Sequence, residues 1–553
     1  MNYTVGPLRK FLLSSAALIM GAAQAQAEDL AGLKAQIEAM QNQVSQLELK
    51  SGTVAEARQS GISVMRGNAL ADWNTDSAGD VRIPDSRGVT IAITPTTDMP
   101  APVTEVSISG YVKTDFIWDF DQDLGPSFNT EGIDQRAQKD VSFHTHAFQS
   151  RFRIQSRTDT SIGEIRTLLE GDFYGDTSTD GLFRLRHAWG EWDFMPHWTL
   201  AIGRFWRVGV DLLSSVTLVD FDANSYVGSP SKTRTEQIRL QYVSGPLTFA
   251  FGVQGPQTSN GADNTVAACS SELGLQTVRE TGCQITVGTT ETAIAIPIGA
   301  NPTAFTRQLT NAPNLPSFGA HMLYETEFEH GFFIGGELQQ NNIDRNAEGW
   351  VGSGTDNAIY GNSSKLGWVA SVGANINVTD FLELKGHLSV SEGLVSRIGG
   401  AGGDIWGQET VVVEEDGTHV TKMRVVESKA WGGYVGAHFD ATEHVSFNAR
   451  YGFVDPADRA MTGGGIQWSH LHEIHANVMW RPVHQMRLGL EFIYGRKTNG
   501  KNFVKGYNFG TENKGDPHNI NGGGQCEDEK ANALCRKRHE DAFRAHFGAW
   551  FFF

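Results

Sequence analysis

The chain has 553 residues, of which 40% are apolar and 20% charged, and carries a formal net charge of −18. A bundle of membrane-crossing helices is excluded, because each helix needs about 20 consecutive apolar residues and the longest such stretch is Phe11 to Ala23. There is no basic tail for nucleic acid and no GxSxG, P-loop or HExxH pattern, so nothing points to an enzyme, a cofactor or a metal centre.

The apolar stretch follows Arg9 and Lys10 and precedes Ala25-Gln26-Ala27, so residues 1–27 read as a secretory signal peptide. Residues 28–50 carry Leu30, Leu33, Ile37, Met40, Val44 and Leu47 at spacings of three and four, the apolar seam of a short coiled coil. So short a seam adds to an oligomer held together elsewhere, and by itself it leans toward a dimer. The competing reading is one amphipathic helix lying on a surface. Residues 51–104 mix Gly, Pro, Ser and Thr and read as a linker with one short strand or turn.

From 105 to 553 the pattern has a period of two. Leu247, Phe249, Phe251 and Val253 alternate with Thr248, Ala250, Gly252 and Gln254; Val445, Phe447, Ala449, Tyr451 and Phe453 alternate with Ser446, Asn448 and Arg450. About sixteen strands are predicted, near 105–120, 144–158, 163–174, 182–194, 197–207, 234–244, 246–255, 317–329, 331–341, 364–378, 381–392, 428–440, 443–454, 469–481, 484–496 and 541–553. Short connections such as Gly245-Pro246 and Thr379-Asp380 alternate with long ones such as 208–233, 256–316, 393–427 and 497–540. The fold class is therefore all-β, a transmembrane antiparallel barrel with short turns at one end and long loops at the other. Asp416-Gly417, between Val411–Val413 and Val420–Val426, predicts a small hairpin inside one long loop. Cys269 with Cys283 and Cys526 with Cys535 fall in long loops, where disulfides are expected in an exported chain. At the end of the chain Phe543, Ala545, Phe547, Ala549, Phe551 and Phe553 share one face. A C-terminal Phe of this kind is the signal read by the outer-membrane barrel-assembly machinery, and places the barrel in the bacterial outer membrane with the coiled coil in the periplasm.

The strand parity also assigns a lumen face. Arg151, Arg153 and Arg157 of the second strand, Arg166 of the third, and Arg184 and Arg186 of the fourth are predicted to face inward, with Arg204 and Arg239 as further candidates. Guanidiniums on a wet wall concentrate anions and offer paired donors to carboxylate or phosphate. The competing reading is that they only pair with Glu164, Glu170 and Asp172 and with loops that fill the barrel, which would make them structural. The loop 208–233, with Asp211, Asp220 and Asp222 beside Leu212, Leu213, Phe221 and Tyr226, is predicted to fold inward and set acids opposite the arginines; an external lid is the alternative. His144 and His146 share a strand face, but nothing nearby completes a four-ligand metal site.

Ser107-Ile108-Ser109-Gly110-Tyr111-Val112-Lys113-Thr114-Asp115, Gln149-Ser150-Arg151-Phe152-Arg153 and Leu185-Arg186-His187-Ala188-Trp189-Gly190, together with the heptads, resemble the DcaP-type trimeric outer-membrane channels. The resemblance implies a sixteen-stranded homotrimer with a periplasmic coiled coil. It also implies passive uptake of small negatively charged solutes such as dicarboxylates, and a role for Arg151, Arg153 and Arg186. The longer 51–104 segment and the long loops depart from that pattern. A general-diffusion or sugar-selective porin, and a structural tether of the outer membrane, are the competing functions.

Overall fold

A computed structural model describes residues 62–66, 88–93, 104–133, 140–175, 181–220, 226–231, 233–256, 265–268, 307–310, 313–342, 364–413, 419–456, 468–499 and 539–553. The signal peptide, the heptads, all four cysteines, Phe221 and Asp222 lie outside the described residues.

Sixteen strands form the barrel: β1 (Thr104–Asp119), β2 (Ser142–His146 and Arg151–Thr160), β3 (Gly163–Asp172), β4 (Arg184–Met195), β5 (Trp198–Trp206), β6 (Arg234–Ser244), β7 (Leu247–Gln254), β8 (Ser317–Glu325), β9 (Gly331–Asn342), β10 (Ser364–Thr379), β11 (Leu382–Glu392), β12 (Lys429–Thr442), β13 (Val445–Pro456), β14 (Trp468–Val483), β15 (Met486–Asn499) and β16 (His539–Phe552). Each pairs antiparallel with the next, and β16 returns to β1 with Phe552 opposite Tyr111 and Arg544 opposite Asp119. Closure leaves no open sheet edge among them, which is what a lipid-facing sheet requires.

Alternation sorts the side chains as the sequence predicts. Phe251, Leu388, Phe447, Ile474 and Phe492 are exposed on the outside, while Gln155, Glu337, His387, Asn448 and Glu491 are buried on the inside. The expected hairpin is present and longer than its turn signal suggested, joining Ile405–Val413 to His419–Glu427. It extends into a small sheet through Thr265–Ala268 and Arg307–Thr310.

Two local readings need correction. The continuous second strand, 144–158, is interrupted at Ala147–Ser150, where Ser150 N donates back to Ala147 O at 3.1 Å. The Ser150 hydroxyl takes over that stretch of the ladder, accepting from Lys113 N at 3.0 Å and donating to Lys113 O at 3.2 Å. The segment read as a linker holds two strands, Ile62–Arg66 and Val89–Ile93. Val89–Ile93 pairs with Thr104–Ile108 of β1, on the edge that β16 leaves when the chain ends. Phe553 makes the last β16 contacts there, its N donating to Gly110 O at 3.1 Å and its O accepting from Gly110 N at 3.2 Å.

Candidate functional site

The long connection after β5 enters the barrel, as the sequence predicts, and its described residues can be followed along the inner wall. Arg207 donates from Nε to Glu337 of β9 at 2.9 Å and from Nη2 to Ser317 of β8 at 2.6 Å. Val208 N donates to Gln254 of β7 at 2.8 Å, and Val208 O accepts from His321 of β8. Asp211 meets His387 of β11 at 2.8 Å, and Ser214 meets Tyr434 of β12 at 2.9 Å. Thr217 O accepts from Asn477 of β14 at 2.9 Å, and Val219 bonds Glu491 of β15 and Lys113 of β1. Glycines on both the loop and the wall allow the close approach: a side chain at Gly209 of the loop would meet Gly336 of β9, and one at Gly489 or Gly548 of the wall would meet Val219. The loop thus lies against the wall from β7 round to β1.

A second segment, within the predicted long connection 393–427, also packs inward. After β11 a 3₁₀ turn, Val395–Arg397, leads into residues 398–404. Gly228 N donates to Gly399 O at 2.9 Å, Gly399 N to Ser229 O at 2.7 Å and Ser231 N to Arg397 O at 2.8 Å, so the two segments are joined main chain to main chain. Val227, Val395, Ile398 and Ala401 bury themselves against Ala430, Val454 and Leu471 of the wall. Arg397 shares Glu337 with Arg207. Asp404 accepts from Ser396 N and Oγ at 2.7 and 2.8 Å. Burial outweighs those bonds and the charge of Arg397, and pushes the Asp404 carboxyl up to about 6.

The part of the wall that this loop does not line, β2 to β4, carries the predicted arginines. Cross-strand register sets Arg153 opposite Glu170, and Glu170 opposite His187. Glu170 accepts from Arg153 Nε at 2.9 Å and Arg186 Nε at 2.8 Å, with Arg151 Nε 3.5 Å away. Asp172 accepts from Arg184 Nε and Nη2 at 2.9 and 2.7 Å and from Arg186 Nη1 at 2.9 Å. Two carboxylates are thereby shared among four guanidiniums. Nearer the short-turn end runs a row of Glu105, Arg157, Arg166 and Glu191, in which Arg157 reaches Glu105 at 2.8 Å and Arg166 reaches Glu191 at 3.1 Å and Asp193 at 2.9 Å. Arg239 also points in, donating to Trp206 O at 2.6 Å with its guanidinium 4.4 Å from the Phe205 ring.

The predicted site residues do not all fare alike. Arg151, Arg153 and Arg186 are 2%, 4% and 1% exposed and form the dry centre of the cluster. The side chains of Arg157, Arg166 and Arg184, at 34%, 19% and 24%, are the ones left accessible. Arg204 is a correction. It has the parity of the exposed Ile202 and pairs with Glu236 at 2.9 Å, away from the lumen. Asp211 and Asp220 are a second. They are fully buried against the wall and do not present their charge to the lumen facing the β2–β4 arginines, because a carboxylate inside the barrel needs donors close at hand. Asp211 takes Ser214 and His387, and Asp220 takes Phe128 N at 2.9 Å with Arg544 at 3.6 Å. His144 bonds Asp123 at 2.9 Å, and these two with Asp119 bring three ligand atoms within 4.8 Å of one another. Both arms of the Arg544 guanidinium already occupy Asp119, at 2.7 and 2.8 Å.

No protein-family model matches the chain, and no curated protein is similar to it in sequence. Among solved structures, the outer membrane channel DcaP of Acinetobacter baumannii aligns with 81% of this chain and 97% of its own, at 13% identity and a TM-score of 0.54. An anion-selective porin from Comamonas acidovorans aligns over 81% and 100% at 12% identity and a TM-score of 0.43. The chain has the sixteen-stranded fold of DcaP, as the sequence motifs suggested.

Proposed function

We propose that the protein is an outer-membrane channel for passive uptake of small negatively charged solutes, with carboxylates and dicarboxylates as the expected class, and that it works as a homotrimer. The observation that carries the reading is the asymmetry of the inner wall. The inward loop lines β7 round to β1, and the opposite side offers the guanidiniums of Arg157, Arg166 and Arg184 above a buried Arg151–Arg153–Arg186 cluster. A charge facing the lumen is tolerated where one facing lipid costs about 2–4 kcal/mol, and a cationic wall raises the local anion concentration. The fold match to a protein described as an outer membrane channel supports the same reading. The exposed Phe553 at the end of the closing strand fits recognition by the barrel-assembly machinery.

A general-diffusion or sugar-selective porin is the second reading. The observation that favours it is the pairing of Arg157 and Arg166 with Glu105, Glu164, Glu191 and Asp193, which returns much of their charge. The tether reading rests on the heptads. Reversal potential in a planar bilayer across a KCl gradient separates the three. Anion selectivity supports the proposal. Cation selectivity selects the general porin, and absence of conductance selects the tether.

A further inference from the structure

The displaced Arg204 opens a question about the outside of the barrel. On β5 and β6 the exposed parity runs Trp198, Ile202, Arg204 and Tyr242, Ile238, Glu236. Trp198 and Tyr242 are paired across the strands near the short turns, with ring centroids 4.9 Å apart, and mark one border of the apolar band. Six residues further along each strand stand Arg204 and Glu236. At about 3.3 Å per residue and a strand tilt near 40°, that is a climb of about 15 Å, inside a band about 25 Å tall. The same step from Phe332 on β9, Phe447 on β13 and Trp480 on β14 reaches Leu338, Phe453 and Ile474. On those three strands this height is apolar, whereas here Glu236 is 72% exposed.

The neighbouring surface is unlike a lipid-facing wall in two further ways. Ser156 and Thr167, on the outward parity of β2 and β3, bond each other at 2.6 Å, and Thr104 and Thr158 do so at 3.1 Å. Beside Glu236 lies a groove of about 520 Å³ lined by Ile202, Ile238, Val253 and residues 313–316, with Leu315 exposed at its edge. The strands are also short here, nine residues in β5 and eight in β7 against sixteen in β10 and β14.

We propose that the outer face of β5 and β6, centred on Arg204 and Glu236, packs against a second copy of this chain. The inference deepens the homotrimer reading above and rests on it. The occupant follows from two features of the chain. Arg204 and Glu236 lie side by side with opposite charge, so around a three-fold axis the head-to-tail contact can set Arg204 of one copy against Glu236 of the next. The chain also carries a heptad seam, Leu30 to Leu47, whose natural partner is an identical seam. In such an interface the pair is covered by protein and keeps its hydrogen bond, and the lipid penalty does not arise.

The test is photo-crosslinking of the full-length protein in outer-membrane vesicles, with p-benzoylphenylalanine in place of Glu236 or Ile202, and of Ile474 as the opposite-wall control. Adducts of twice the monomer mass from 236 and 202, and none from 474, are expected. An oligomeric native mass without self-adducts from 236, or with them from 474, overturns this face and leaves the oligomer standing; so does an adduct of 236 with lipopolysaccharide. A monomeric native mass overturns both. The reversal potential of the same wild-type preparation judges the channel reading separately. Glu236→Arg, checked for a heat-modifiable folded barrel, is expected to shift the native mass toward monomer, and an unchanged mass argues against the interface.

Discussion

Arg184→Gln isolates the charge of the wall from its structure. Arg184 is the most solvent-exposed member of the cluster around Glu170 and Asp172. Asp172 loses two hydrogen bonds but keeps Arg186 at 2.9 Å and Tyr174 N at 3.2 Å. The stability cost is therefore about 1 kcal/mol, well short of the 3–5 kcal/mol for stripping a buried pair. The effect on permeation follows from Coulomb's law. An anion passing at about 7 Å through water loses about 0.6 kcal/mol of attraction, and a cation loses as much repulsion. At 0.1 M salt, where the Debye length is about 10 Å, about half of that survives. Each ion then changes by a factor of about 1.7, so the chloride-to-potassium permeability ratio falls about threefold, rising to about sevenfold at the lowest salt. Arg184→Lys keeps the charge and is expected to stay near wild type. Reversal potentials at two ionic strengths read all three proteins. An unchanged ratio in Arg184→Gln, or an equal fall in Arg184→Lys, would show that wall charge does not set selectivity.

The other expectations concern the inner segments and the join of the barrel. His387→Ala leaves Asp211 without one of its bonds and loosens the loop from β11, so single-channel conductance should rise; an unaltered conductance would mean that the loop does not limit the bore. Asp404, raised to about 6 from its ordinary 3.8, binds its proton more tightly when residues 393–404 are packed. Packing should therefore strengthen as pH falls from 7 toward 4 and weaken above 6. Amide exchange of 395–401, corrected for intrinsic rate, should show this in wild type and not in Asp404→Asn. Gly88 has φ +89°, and a Cβ there would fall 2.5 Å from Ile108 O. Gly88→Val should thus cost about 1–3 kcal/mol and lower the temperature at which the barrel unfolds in SDS–PAGE, unless Val89–Ile93 contributes nothing to closure.

The barrel was legible because period two is a direct consequence of strand geometry and needs no tertiary information. The same rule, applied with care, would have placed Arg204 correctly, since Ile202 two residues earlier already faces outward. It fails where the geometry itself breaks period two. Between Glu170 and Gly171 the register with β4 shifts, and Arg186 and His187 both turn inward. No alternation can announce that, because a bulge adds one residue to one strand. Residues 393–404 were invisible for a different reason. They have no period at all, and their apolar side chains find partners on the β5–β6 loop and on β12 to β14 only once the barrel has closed around them.

Parity assigns a side of the sheet, and the side does not determine whether a charge there is wet. Arg153 and Arg157 share a strand and a face, yet one is buried and the other a third exposed. The difference lies in the register. Arg153 stands opposite Glu170, and the shift in β4 brings Arg186 onto the same carboxylate, so the guanidiniums close over it. Arg157 stands opposite Arg166, and the carboxylate that reaches both, Glu164 at 4.0 and 3.1 Å, is itself 28% exposed; each arginine also turns to an acid on its flanking strand, Glu105 or Glu191, so the pair stays open to water. In the proposed anion channel, which arginines a passing anion would meet is thus decided by cross-strand pairing, one level above the alternation that identifies the barrel. Arg157, Arg166 and Arg184 are the ones that pairing leaves within reach.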